Sequence, residues 1–168
     1  MIKLISLKTN EIKKKQLNDI LLLKDQHWKF GIKSQLNNYK KNFHKSDINN
    51  CIYFNDELIG YTALKLRSFS NNNNKYLLFD TLIIKKKYRN RYYSLILMNF
   101  NNFIIKNNNK ISFLICNKEM VKFYKNHDWK NLNKNQVILS DFKTNKIVMS
   151  YNYFNKTKIK STYLNLKK

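Results

Sequence analysis

The chain has 168 residues, and 33 Lys and Arg against 10 Asp and Glu give it a formal net charge of +23. That length supports one core and one domain, and two cysteines without CxxC or His-spaced neighbours exclude both a disulfide framework and a zinc site. Only Arg67, Arg89 and Arg91 among the cations are arginine; with abundant Asn, Ile, Tyr and Phe, two glycines and no proline, this is the profile of an AT-rich coding sequence rather than evidence for a nucleic-acid partner. The positive field still favours anionic ligands such as phosphates.

In chain order, residues 1–7 read as a short strand around Ile2, Leu4 and Ile5. The apolar spacing of Ile12, Leu17, Ile20, Leu21 and Leu23 predicts a helix from Thr9 to Leu23, capped by Thr9 or Asn10. Asp25-Gln26-His27-Trp28 then reads as a loop, and Ser34 to Phe43 as a second helix. Cys51–Phe54 and Leu58–Leu66, separated by Asn55-Asp56-Glu57, predict a β-hairpin, and Gly60 inside its second strand marks a bulge or a close backbone approach. Ser68 to Lys75 is expected to be a solvated loop. Tyr76 to Ile84 predicts a long strand, Lys85 to Arg91 a cationic turn, and Tyr92 to Ile105 a helix with Leu95, Met98 and Ile105 on one face. Ile111–Cys116 predicts a buried strand and Lys118 to Asn126 a helix. Gln136–Leu139 and Ile147–Tyr153 are expected to form a terminal hairpin. Asn155 to Lys168 reads as a loosely held basic tail, so the expected layout is one α/β domain over 1–154 and a tail over 155–168. No run approaches the roughly 18 apolar residues of a membrane span, and no leader is visible at the start. A cytoplasmic protein with no membrane partner is expected.

Two segments carry chemistry. In the first, a buried apolar run leads through the cationic turn into a helix; the exposed amides of such a turn and the positive end of the helix dipole form an anion site. In the second, the apolar strand ending at Cys116 is followed by Asn117, Met120, Val121, Phe123-Tyr124 and His127-Asp128-Trp129. A carboxylate at Asp80, within Leu77-Leu78-Phe79-Asp80-Thr81-Leu82, is costly in an apolar strand unless paired or facing a cleft.

These motifs and the order of elements resemble the GCN5-related N-acetyltransferase superfamily over about Cys51 to Trp129. The resemblance implies a central mixed, mostly antiparallel, twisted sheet flanked by helices, and an acetyl-CoA-dependent enzyme. The family's phosphate turn, Arg/Gln-x-x-Gly-x-Gly/Ala, stands here as Arg89-Asn90-Arg91-Tyr92-Tyr93-Ser94, with Tyr92 and Ser94 in the two glycine positions. A tyrosine at such a turn can obstruct both the backbone angles and the approach of the phosphate. Carried over, the resemblance implies that backbone amides at Leu82 and Ile84 contact the acetyl carbonyl and the pantetheine arm. It further implies that Tyr124 protonates the departing thiolate, that Asn117 hydrogen-bonds near the cofactor, and that Asp80 acts through water as base. For the acceptor, a small-molecule primary amine, His27 and Trp28 are the candidate contacts: Trp28 to stack on a ring, His27 to orient an amine or hydroxyl. An anionic acceptor such as a nucleotide-linked amino sugar suits the surface charge better than a basic peptide. The oligomeric state, a homodimer included, stays open at this point. Two rivals remain: a degenerate, non-catalytic relative that binds a ligand or partner, motivated by Tyr92, and a basic nucleic-acid-binding module, motivated by net charge and 14% aromatic content.

Overall fold

The computed structural model describes residues 1–70, 74–133, 137–139, 145–152 and 162–164. Nine strands occur among them, β1 (Ile2–Lys8), β2 (Ile48–Phe54), β3 (Glu57–Ser68), β4 (Lys75–Ile84), β5 (Ser112–Cys116), β6 (Lys130–Asn131), β7 (Val137–Leu139), β8 (Ile147–Tyr151) and β9 (Thr162–Leu164). Four α-helices accompany them, α1 (Lys14–Trp28), α2 (Ile32–Asn42), α3 (Tyr93–Asn107) and α4 (Val121–Lys125). Seven strands hydrogen-bond in the order β1-β2-β3-β4-β5-β8-β6, and β7 pairs with β9 in a second sheet. The β4/β5 pairing is parallel, while β1/β2, β2/β3, β5/β8 and β6/β8 are antiparallel. The expected α/β class and mixed, mostly antiparallel sheet are what the chain forms.

By contact density the chain divides into two compact units, residues 1–65 with 81–101 and residues 66–80 with 102–168. In the first, Cys51, Tyr53, Tyr61 and Ala63 on one face of the strands pack with Ile20, Leu21 and Leu23 of α1 and with Tyr39 and Phe43. On the opposite face Ile52, Ile59 and Ile84 pack with Leu97 of α3. This is the strand alternation that the sequence pattern requires. In the second unit, Tyr76, Leu78, Phe113, Val137 and Leu164 form the core cluster.

The hairpin register shifts between Ile52 and Tyr53, which pair with Gly60 and Leu58, so Ile59 is the extra residue of a β-bulge. Gly60 is also a close approach. A Cβ there would lie 2.7 Å from both Ile52 Cγ2 and Ile84 Cδ1.

Several expectations need correction. The first helix starts at Lys14, not Thr9: Thr9–Glu11 is a separate 3-10 turn, and the Lys13 amide is satisfied by Gln16 Oε1 at 2.9 Å. It runs on to Trp28, so Asp25-Gln26-His27-Trp28 is the last helical turn and not a loop. Asp25 reverses the chain after it, because its carbonyl accepts from Lys29 N at 2.8 Å and its carboxylate from Gly31 N at 2.7 Å. Lys29 and Gly31 take left-handed φ values of 43° and 81° to complete the reversal. Leu95 is 42% exposed, whereas Leu97, Met98 and Ile105 are buried, so the inward stripe of α3 is offset from the one expected.

The expected terminal hairpin does not form. β8 pairs with β5 and β6, and β7 pairs in parallel with β9, Val137 opposite Thr162. Of the expected tail only Thr162–Leu164 falls within the described residues, and there Leu164 is buried and Phe69 bridges to it. Gln136 and Tyr153, and residues 71–73 of the expected solvated loop, lie outside the described residues.

Candidate active site

The cationic turn belongs to the first unit. Strand β4 ends at Ile84, a 3-10 turn spans Lys86–Tyr88, and α3 begins at Tyr93. Its first helical hydrogen bond runs from Ile96 N to Tyr92 O, 2.9 Å, so the amides of Tyr93, Ser94 and Leu95 precede any intrahelical acceptor. Asn90 sits at a left-handed φ of 58°, an angle asparagine tolerates better than most side chains. The Tyr92 side chain, where the resembling turn has glycine, is 79% exposed and directed to solvent. Tyr93 turns the other way, with its ring 5.7 Å from Tyr88 and 6.2 Å from Phe54. Ser94 is half-buried and Arg91 exposed. Leu82 and Ile84 pack in the apolar cluster with Ile52, Ile59 and Leu97, which pins the strand whose backbone the resemblance singles out.

Arg89 is held at two points. Its Nε donates to Ile84 O at 3.0 Å, and its Nη2 lies 3.1 Å from His27 Nδ1. A guanidinium has only donors, so Nδ1 is the acceptor. The structure therefore brings His27, singled out for the acceptor side, onto the cationic turn. Trp28 follows it, edge-on to His27 at 4.7 Å and 37% exposed.

A group that sequence reasoning missed controls the start of this turn. Glu57, the first residue of β3, accepts from Lys85 Nζ at 2.5 Å through Oε1, and from Tyr88 Oη at 2.7 Å and Lys87 Nζ at 2.8 Å through Oε2. Hydrogen bonds from Lys85 first, then Lys87 and Tyr88, pull its carboxyl from 4.5 down to about 2. In the sequence it read as one polar residue of a hairpin turn; the available signal was an acid within reach of three consecutive lysines.

The second motif lies in the second unit. After β5, the Asn117 carbonyl accepts from Met120 N at 3.0 Å and its side-chain amide donates to Glu119 Oε1 at 3.2 Å. The expected single helix from Lys118 is a 3-10 turn, Lys118–Met120, running into α4. Tyr124 on α4 is buried, its ring edge-on to Phe79 at 6.0 Å and to Trp129 at 6.3 Å. Burial, with a smaller contribution from Cys116, pushes its phenol well above the usual range, so it is protonated at neutral pH. Among the described residues its hydroxyl makes no hydrogen bond.

Asn102, also absent from the sequence reading, stitches this motif together. It donates through Nδ2 to His127 O at 3.0 Å and accepts through Oδ1 from Trp129 Nε1 at 3.1 Å. Burial lowers the His127 imidazole below its ordinary value. Parallel pairing of β4 with β5 covers Leu77–Phe79. Asp80 follows directly and is exposed rather than embedded. The cost of a buried carboxylate, which first drew attention to it, therefore does not arise.

Neither a protein-family model nor any curated protein sequence matches the chain. Solved structures do. Escherichia coli ElaA superposes with a TM-score of 0.64 at 15% identity, covering 89% of this chain and 99% of that one. An aminoglycoside 6'-N-acetyltransferase complexed with coenzyme A gives 0.65 at 12% identity, covering 88% and 96%. The Bacillus subtilis N-acetyltransferase YlbP in complex with coenzyme A gives 0.56 at 20% identity, covering 90% and 96%. The fold is that of the GCN5-related N-acetyltransferases.

The two stretches that the sequence resemblance singled out, Arg89–Ser94 and Asn117–Trp129, are the two described above. The segment around His27 and Trp28 follows the fold's two-helix plan, but as the end of α1. No helix among the described residues is long and apolar enough to cross a membrane.

Proposed function

We propose that the protein is an acetyl-CoA-dependent N-acetyltransferase that transfers the acetyl group directly to a primary amine of a small molecule. The observation that carries this reading is the outward Tyr92. With that ring in solvent, the helix-start amides and the cations Arg89 and Arg91 suit the pyrophosphate of coenzyme A despite the missing glycines.

Acetyl-CoA supplies an activated acyl carbon and a thiolate leaving group. Amides at Leu82 and Ile84 hold the pantetheine arm and polarise the carbonyl, and Asn117 hydrogen-bonds near the cofactor. Asp80 accepts the ammonium proton through water, which leaves a neutral amine. As the C–N bond forms and the C–S bond breaks, Tyr124 gives its proton to the sulfur, and the proton that the nitrogen sheds on becoming an amide restores the phenol through solvent. A buried phenol that is held protonated, its hydroxyl making no hydrogen bond among the described residues, is suited to that task. The basic surface favours an anionic acceptor such as a nucleotide-linked amino sugar, while His27, bonded to Arg89 on the phosphate turn, and Trp28 beside it stand with the cofactor's phosphates rather than with the acceptor. Two buried, free thiols accord with the reducing cytoplasm.

Calorimetric titration with acetyl-CoA, of the natural sequence and of Tyr92→Gly, tests the cofactor assignment, and an amine screen with Tyr124→Phe tests the chemistry. Saturable binding near about 1 μM by the natural sequence is expected, and Tyr124→Phe should keep it while losing at least about 100-fold in turnover. Binding by Tyr92→Gly alone would replace this reading with the non-catalytic one. A Lys peptide strongly preferred over a nucleotide-linked amino sugar would overturn the anionic acceptor.

A further inference from the structure

We propose that Glu57 is a positioning residue for the phosphate turn, its carboxylate acting as a clip that fixes the backbone leading into Arg89–Ser94. The proposal rests on the assignment of that turn to the pyrophosphate of coenzyme A. Glu57 stands at the start of β3 and touches the turn at Lys85, Lys87 and Tyr88, as described. Two positions further along β3, Ile59 O accepts from Lys85 N at 2.8 Å, so one stretch of strand grips both the backbone and the side chain of Lys85. The hold is passed on through Tyr88. Its amide donates to Lys85 O at 2.8 Å, and its ring packs 6.0 Å from Phe54 and 5.7 Å from Tyr93, the first residue of α3. The hydroxyl end of that ring is anchored by Glu57 and the ring itself meets Tyr93 at the helix start in a T-shaped contact, so the carboxylate sets where the helix amides stand.

A simple charge role makes the opposite prediction. An acid beside a polyphosphate site repels the ligand, and on charge alone its removal should tighten binding, because Lys85 and Lys87 are then left unneutralised. A clip predicts loosening in spite of the added positive charge, because the turn must then be ordered at the moment of binding. The sign of the change separates the two.

The test is titration of the full chain with coenzyme A and with S-acetylpantetheine, which lacks the phosphates, for the natural sequence, Glu57→Gln and Tyr88→Phe. The last keeps the charge and the ring and removes only the hydroxyl that Glu57 holds. Glu57→Gln is expected to bind coenzyme A about tenfold more weakly, or about 1.4 kcal/mol. Tyr88→Phe should shift in the same direction by a smaller factor, and neither variant should change binding of S-acetylpantetheine. Unchanged or tighter coenzyme A binding by both variants overturns the clip while leaving the functional reading intact. Equal weakening toward both ligands also overturns it, since general loss of structure, not phosphate positioning, would then be the cause. Failure of the natural sequence to bind coenzyme A overturns the functional reading and the clip together.

Discussion

Replacing Gly60 by Ala adds one methyl group at the most crowded point of the bulged hairpin. The new Cβ would stand 2.7 Å from Ile52 Cγ2, 2.7 Å from Ile84 Cδ1 and 3.2 Å from Ile83 O. The Ile84 methyl is the far end of a side chain and can swing, but Ile52 Cγ2 is fixed to its own Cβ, and Ile52 is fully buried. Overpacking of this kind costs about 1–3 kcal/mol. Stiffening of the unfolded chain by Gly→Ala returns about 0.4–1 kcal/mol, which leaves roughly 1–2 kcal/mol of net loss. In a domain of this size each kcal/mol lowers Tm by about 2–4 °C, so a fall of roughly 2–8 °C is expected by calorimetry. The double variant Gly60→Ala with Ile84→Val removes one clashing methyl and should recover part of that fall. An unchanged or higher Tm for Gly60→Ala, or no recovery in the double variant, would refute the packing argument.

Asn102→Ala strands two buried groups, Trp129 Nε1 and His127 O, at about 1–3 kcal/mol each. Urea unfolding should show a loss of about 2–5 kcal/mol. Glu57 gives the chain a defined acid sensitivity. Its folded value of about 2 lies below the ordinary 4.5, so its contribution is complete above pH 4.5 and disappears as pH falls through about 2. Urea midpoints of the natural chain and Glu57→Gln, measured against pH, should differ above pH 4.5 and converge by about pH 2.

The fold was legible where local pattern decides it. The alternation through Cys51–Phe54 and Leu58–Leu66, with Gly60 inside the second, and the apolar runs before Ile84 and Cys116 became the predicted strands, because a half-buried sheet leaves a period-two record. The start of α1 was misread because no Ser, Thr, Asp or Asn stands at Lys13; its amide is closed by Gln16 from within the helix. The fate of Val137–Leu139 was not legible at all, since nothing in a three-residue run specifies a partner as distant as Thr162–Leu164. At the candidate site, the outward direction of the Tyr92 side chain was not legible, because a rotamer leaves no trace in sequence. Glu57 and Asn102 were missed for a related reason: each works by joining residues far apart in the chain.

The parallel pairing of β7 with β9 bears on the order of folding. All of β8 is made between the two strands, and a parallel pair cannot close by a tight turn. Closing that ladder therefore waits on the whole connection between the two strands, and until then Val137 and Leu139 lack the cover of Leu164 and one ladder edge is unsatisfied. Amides of Val137–Leu139 should accordingly exchange with solvent sooner than those of β5, whose ladder partners flank it on both sides.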